Sequence, residues 1–184
     1  MRAFIGIDFD NNLKNEISTL QQRLKSFAIK GRWKYVDNFH LTLKFLNEID
    51  SYQQNEINKI MKEVCAQKEP FNLKLSGLGT FSGKDYVRVL WLGIAGEMEK
   101  LRSLQKEIDR ELDKIGFPKE KREYRPHVTI GQDIVFKEDF DLKEFQSRVK
   151  DYKIGKVDRI YLYKSEQINN KRIYTKVSEY ILAV

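Results

Sequence analysis

The 184-residue chain predicts an α+β fold built on largely antiparallel sheets. Strand-like segments come in runs between helices rather than in strict alternation with them. Three segments carry apolar residues at helical spacing, and the last third reads mostly as strand. Hydrophobic residues make up 41% and charged residues 33% of the chain, the balance of a globular protein rather than a disordered one.

Residues 3–9 read as a strand. Leu13, Ile17, Leu20, Leu24 and Phe27 then recur at steps of four and three, one face of a helix with Asp10 or Asn11 as N-cap. Residues 33–36 and 40–46 read as short strands. Ser51 opens a second helix, with Gln54 completing a capping box and Ile57, Ile60, Met61 and Val64 on the buried face. Strands near 71–79 and 85–94 are joined by the turn-like Ser82-Gly83-Lys84-Asp85. A third helix carries Met98, Leu101, Leu104, Ile108, Leu112 and Ile115, and ends at Gly116 and Pro118. The basic segment 118–126 is a loop, 127–131 a short strand and 139–149 a weak helix. Two long strands, 152–164 and 172–183, finish the chain. No low-complexity linker divides it, so residues 1–184 are expected to form one domain. A partial duplication is suggested, each half holding one helix-flanked set of strands.

No stretch reaches the roughly 20 apolar residues that span a bilayer. Asp8 and Asp10 interrupt the N-terminal strand too early for a secretory signal, so the expected location is cytoplasmic, without membrane association. Cys65 is the only cysteine, which excludes an internal disulfide and argues against a thiolate metal site. With only two histidines, no metal and no cofactor are expected. The net charge of +7 suits a polyanionic partner such as RNA, though surface lysines that aid solubility would give the same excess.

The chemistry is concentrated in a repeated tetrapeptide, His40-Leu41-Thr42-Leu43 and His127-Val128-Thr129-Ile130. Both histidines of the chain sit in it. Threonine occurs five times, so chance would place it two residues after both histidines about once in a thousand trials. One His-x-Thr on a strand is ordinarily a threonine chosen for β propensity; two in equivalent contexts are not so easily dismissed. Side chains alternate along a strand, so each imidazole shares a face with its hydroxyl. By the same alternation Lys44 joins the His40 face, while Leu41, Leu43 and Phe45 face the core. Two such strands around one ligand would hold a neutral and a charged imidazole, the equipment for in-line displacement at phosphorus. Thr42 and Thr129 would donate to phosphate oxygens.

With these flanks the sequence resembles the 2H phosphoesterases, specifically the RNA 2',3'-cyclic phosphodiesterases, also called 2'-5' RNA ligases. The likeness runs through Arg2-Ala3-Phe4-Ile5-Gly6-Ile7, Trp33-Lys34-Tyr35-Val36, His40 to Leu46, Arg88 to Gly93, Arg125-Pro126-His127-Val128-Thr129-Ile130, Tyr161 to Ser165, and Tyr174. It implies a bilobal two-histidine phosphoesterase fold: two antiparallel sheets related by a pseudo-two-fold axis about a central groove, with helices outside. It also implies metal-independent hydrolysis of RNA 2',3'-cyclic phosphate ends to 2'-phosphate ends. His40 matches the proton donor and His127 the proton acceptor, with the 3' oxygen leaving. Two departures stand out: Asn47 where relatives often have Gly, and Gln132 where they often have Arg. Strict alternation puts Gln132 off the catalytic face unless a bulge intervenes.

Further substrate-binding candidates are Lys44, Arg125 and Tyr124, with Arg88 either structural or groove-lining and Trp33 and Phe9 as base-stacking aromatics. Cys65 is expected to be buried. The expected partners are RNA ends or related nucleotides, and nothing demands more than a monomer. The alternatives are a phosphodiesterase for small cyclic nucleotides, a catalyst joining 2'-5' ends, and a non-catalytic RNA-binding module.

Overall fold

The computed structural model describes all 184 residues. The elements are β1 (Arg2–Asp8), α1 (Asn11–Lys25), β2 (Ala28–Trp33), a 3₁₀ turn (Val36–Asn38), β3 (His40–Glu48), α2 (Ser51–Ala66), β4 (Phe71–Ser82), β5 (Val87–Gly96), α3 (Met98–Asp113), β6 (His127–Phe136), α4 (Leu142–Ser147), β7 (Tyr152–Val157), β8 (Arg159–Ile168) and β9 (Lys171–Ile181). They form two antiparallel sheets, ordered β3-β1-β8-β9 and β2-β6-β5-β4-β7. The α+β expectation holds. Helices α2 and α3 pack on the four-stranded sheet, and α1 and α4 on the five-stranded one. One continuous apolar core runs through both.

Local signals mostly place the elements correctly. Asp10 caps α1 by accepting from the Leu13 amide at 2.8 Å, and Leu13, Ile17, Leu20 and Leu24 are buried. Phe27 lies beyond the helix and stacks on Phe140 at 4.5 Å. The capping box of α2 sits one residue earlier than predicted: Asp50 and Gln53 bond reciprocally, at 2.8 and 2.9 Å, because the Asp50 carboxylate reaches the amide. The short strand expected at 33–36 is displaced; β2 ends at Trp33 and residues 36–38 make the 3₁₀ turn. The strand expected at 152–164 is two strands in different sheets, broken at Asp158. The sheets also interleave the two halves of the chain: β2 joins the later strands, and β8 and β9 join β1 and β3.

Each histidine strand is bent by a bulge immediately after its threonine. On β3 the partners run Gly6↔Thr42 and then Ile5↔Lys44, which leaves Leu43 as the extra residue. On β6 they run Trp91↔Thr129 and then Leu90↔Gly131, which leaves Ile130 as the extra. A bulge of one residue reverses the facing of everything beyond it. Lys44 therefore turns into the protein and is 8% exposed, whereas Phe45 turns out and is 68% exposed. On β6, Gln132 pairs with Val89 and joins the face of His127 and Thr129.

Candidate active site

His40 opens β3 and His127 opens β6, and these strands approach each other across the groove between the sheets. The two imidazoles are presented alike. His40 Nδ1 lies 2.8 Å from the Asn38 carbonyl oxygen, and His127 Nδ1 lies 2.6 Å from that of Arg125. A carbonyl only accepts, so Nδ1 carries the proton in both rings and Nε2 is left for chemistry. In each case the acceptor stands two residues before the histidine. Each ring is also held by aromatics. Phe4 and Tyr174 lie 4.7 and 5.1 Å from His40 by ring centroid, and Phe81 and Trp91 lie 5.5 and 6.2 Å from His127.

The sites differ at the threonines. Thr42 Oγ1 lies 2.7 Å from His40 Nε2. With Nδ1 protonated in the neutral ring, the hydroxyl donates to Nε2. Burial pushes the His40 pKa down to about 4, and the Lys34 and Lys14 charges push the same way. The Asn38 carbonyl and Asp8 oppose them and are outweighed. Asp8 lies opposite His40 across the strand pair. Burial alone would raise the Asp8 pKa, but ion pairs with Lys176 at 2.6 Å and Lys14 at 3.0 Å keep it below the usual carboxylate range.

Two buried glutamines hold the bulges. Gln21 of α1 donates to the Ile130 carbonyl and to the Lys34 carbonyl, both at 2.8 Å. Gln105 of α3 donates to the Leu43 carbonyl at 3.5 Å. The carbonyl of each extra residue thus has a side-chain partner from the helix covering its own sheet.

Several expected contributors have other work. Lys44 does not share the His40 face, because the Leu43 bulge turns it inward. There it pairs with Asp109 of α3 and donates to the Pro118 carbonyl at 2.9 Å. The Tyr124 hydroxyl donates to the Thr42 carbonyl at 2.8 Å, so the 114–126 connection is tied to β3 and this hydroxyl proton is already engaged. Arg125 is exposed beside His127. Phe9 is 4% exposed and lies in the core, which removes it as a stacking surface. Arg88 is exposed and sits 5.8 Å over Phe81. Cys65 is buried, its thiol pushed up to about 12 mainly by burial.

Trp33 lines a cavity of about 580 Å³ between the sheets, together with Phe45, Gln132, Arg2, Arg32, Lys34 and Arg172. Phe45 and Gln132 both stand five residues after a motif histidine, and both reach this cavity because of the bulges. Asn47, a departure from the glycine the family resemblance implies, has φ +59°, a conformation glycine favours and asparagine tolerates. No group of three or more His, Cys, Asp or Glu side chains is placed to hold a metal ion.

Comparison with known proteins gives the family and the fold. Residues 10–169 match the model of the 2'-5' RNA ligase superfamily. The RNA 2',3'-cyclic phosphodiesterase of Methanocaldococcus jannaschii is 37% identical over 98% of this chain and 100% of its own. That of Methanothermobacter thermautotrophicus is 30% identical over 99% of each. Among solved structures, Escherichia coli LigT complexed with 3'-AMP superposes with a TM-score of 0.80 at 22% identity, covering 100% of this chain and 98% of its own.

Proposed function

Because the chain belongs to the 2'-5' RNA ligase superfamily, we propose that it is an RNA 2',3'-cyclic phosphodiesterase that works through His40 and His127 without a metal ion. The observation that supports a two-histidine reaction is the matched presentation of two Nε2 atoms, each fixed by a carbonyl two residues upstream; the assignment of acid and base follows the family resemblance. The cyclic phosphate sits between the strands. His127 Nε2 takes a proton from water, whose oxygen attacks phosphorus. The bond from phosphorus to the 3' oxygen breaks, and His40 Nε2–H protonates that oxygen, leaving a 2'-phosphate. Thr129 donates to a phosphate oxygen. Thr42 does so once its bond to His40 Nε2 has exchanged for one to the substrate.

His40 can donate only if it is charged. In the empty site the pKa near 4 keeps it neutral at pH 7. The phosphodiester anion offsets the Lys34 and Lys14 charges and raises it. The same low pKa favours a second reading with exchanged roles, His40 as base and His127 as acid.

The whole chain acts as one bilobal domain, supported by the continuous core. It works as a monomer on RNA ends in the cytoplasm. No helix is long and apolar enough to cross a membrane by itself. The deciding experiment is incubation of a 2',3'-cyclic-phosphate oligoribonucleotide with the protein in EDTA, followed by identification of the product ends. A 2'-phosphate formed at an undiminished rate is expected. Loss of turnover on chelation, restored by a divalent ion, would end the metal-free mechanism.

A further inference from the structure

The cavity beside His40 is more basic than one cyclic phosphate requires. Four cations line it, Arg2, Arg32, Lys34 and Arg172, and no acidic residue does. Arg32 is drawn aside by Asp133, with Nε 2.9 Å from the carboxylate, but both side chains are exposed. Arg172 holds only a 3.4 Å contact to Ser165 Oγ. Neither Arg2 nor Lys34 makes an ion pair. Lys34 is half-buried, and its pKa is lowered by burial and then by the charges of Arg32 and Arg172. The cations therefore act on one another across a shared space, and an anion there would relieve them.

The cavity is continuous with the reaction site. Phe4 and Tyr174, which flank His40, also form its wall. Asn38 links the two more directly. Its carbonyl receives His40 Nδ1–H at 2.8 Å, and its side-chain amide donates to the Arg172 carbonyl at 2.8 Å. The exposed ring of Phe45 and the indole of Trp33 add stacking surface. A volume of about 580 Å³ falls within the roughly 300–1,000 Å³ of small-ligand sites.

We propose that this cavity is a second phosphate subsite, which receives the phosphodiester on the 5' side of the terminal nucleotide and so selects polynucleotide ends over nucleoside cyclic phosphates. The assignment rests on the phosphodiesterase reading and adds a binding site to it. Charge-assisted bonds to one further phosphate account for a preference of about tenfold or more. The cations supplied from β2 and β9 also explain how the groove keeps its charge with Gln132 on the motif face.

The test compares kcat/KM for a nucleoside 2',3'-cyclic phosphate with that for the same compound bearing a 5'-phosphate, at low salt. The 5'-phosphate is expected to raise kcat/KM at least about tenfold, mainly through KM, with the gain shrinking as salt rises. In Arg172→Gln and in Arg32→Gln the ratio of the two constants should fall to within about threefold of unity. In Gln132→Arg, which restores a cation on the same wall, the ratio should rise. Equal turnover of both compounds by the unaltered protein overturns the subsite while leaving the phosphodiesterase reading intact. Turnover of neither compound, nor of a cyclic-phosphate oligonucleotide, would instead overturn that reading.

Discussion

Replacing Lys44 separates a phosphate-binding lysine from a structural one. Its ammonium is buried, paired with Asp109 and bonded to the Pro118 carbonyl; Asp109 also accepts from the Glu120 amide at 3.1 Å. Lys44→Met removes one charge and leaves a carboxylate 14% exposed without its cation. Breaking such a pair costs about 3–5 kcal/mol. The remaining Glu120 amide keeps Asp109 at the lower end, so about 3 kcal/mol is expected. For a chain of this size that corresponds to a Tm lowered by roughly 6–12 °C. Lys44→Met/Asp109→Leu should recover most of the loss, since neither charge is then stranded. Thermal and urea denaturation give the stability, and steady-state kinetics on a cyclic-phosphate oligonucleotide give KM, expected within about twofold of wild type. A Lys44→Met protein of unchanged stability with KM raised about tenfold would refute the inward placement and return Lys44 to the substrate.

Three other outcomes test the reaction site. His40→Ala and His127→Ala should each lower kcat by about 10²–10⁴, and the wild-type pH profile should be bell-shaped. With His40 as the acid, its basic limb lies at higher pH in kcat than in kcat/KM, because the bound anion raises a pKa that burial and Lys34 hold near 4 in the free protein. An acidic limb near pH 4 in kcat/KM that vanishes in His40→Ala would exchange the two roles. Gln21→Leu should leave the Ile130 and Lys34 carbonyls unpaired, costing about 1–3 kcal/mol for each that stays dry. It should also lower kcat more than it raises KM, and Gln21→Glu, which cannot donate when ionised, should not rescue; wild-type kcat in Gln21→Leu would show that the bulge needs no such tie.

Period-two alternation was enough to put His40 with Thr42 and His127 with Thr129, and the α+β class followed from the order of helical and extended patterns. Alternation failed one residue later in both strands. Gly131 inside β6 is a bulge signal in the sequence, but Leu43-Lys44 carries none, and the glutamines that satisfy the two carbonyls lie on helices far away in sequence. The two bulges turn Lys44 inward and bring Phe45 and Gln132 to the groove, the exception that the sequence reading allowed for Gln132. Arg32 and Arg172 are not legible as site residues in the sequence, because strand pairing, not sequence proximity, brings β2 and β9 to the groove. The same long-range pairing divides residues 152–164 between two sheets, which a continuous apolar-rich pattern cannot reveal.

The committed Nδ1–H of each imidazole restricts how the site can recover between turnovers. In the proposed reaction, hydrolysis leaves the pair inverted, the former base charged and the former acid neutral. With Nδ1 bound to a carbonyl in both rings, no proton leaves through the interior, and each ring can exchange only at the nitrogen that faces the groove. That path is blocked while product fills it. In the proposed mechanism the empty site already keeps His40 neutral, so only the proton on His127 must leave after the product, and His40 takes up its own as the next substrate anion binds; both transfers have their own rates, open to solvent and buffer and separate from the chemistry on phosphorus.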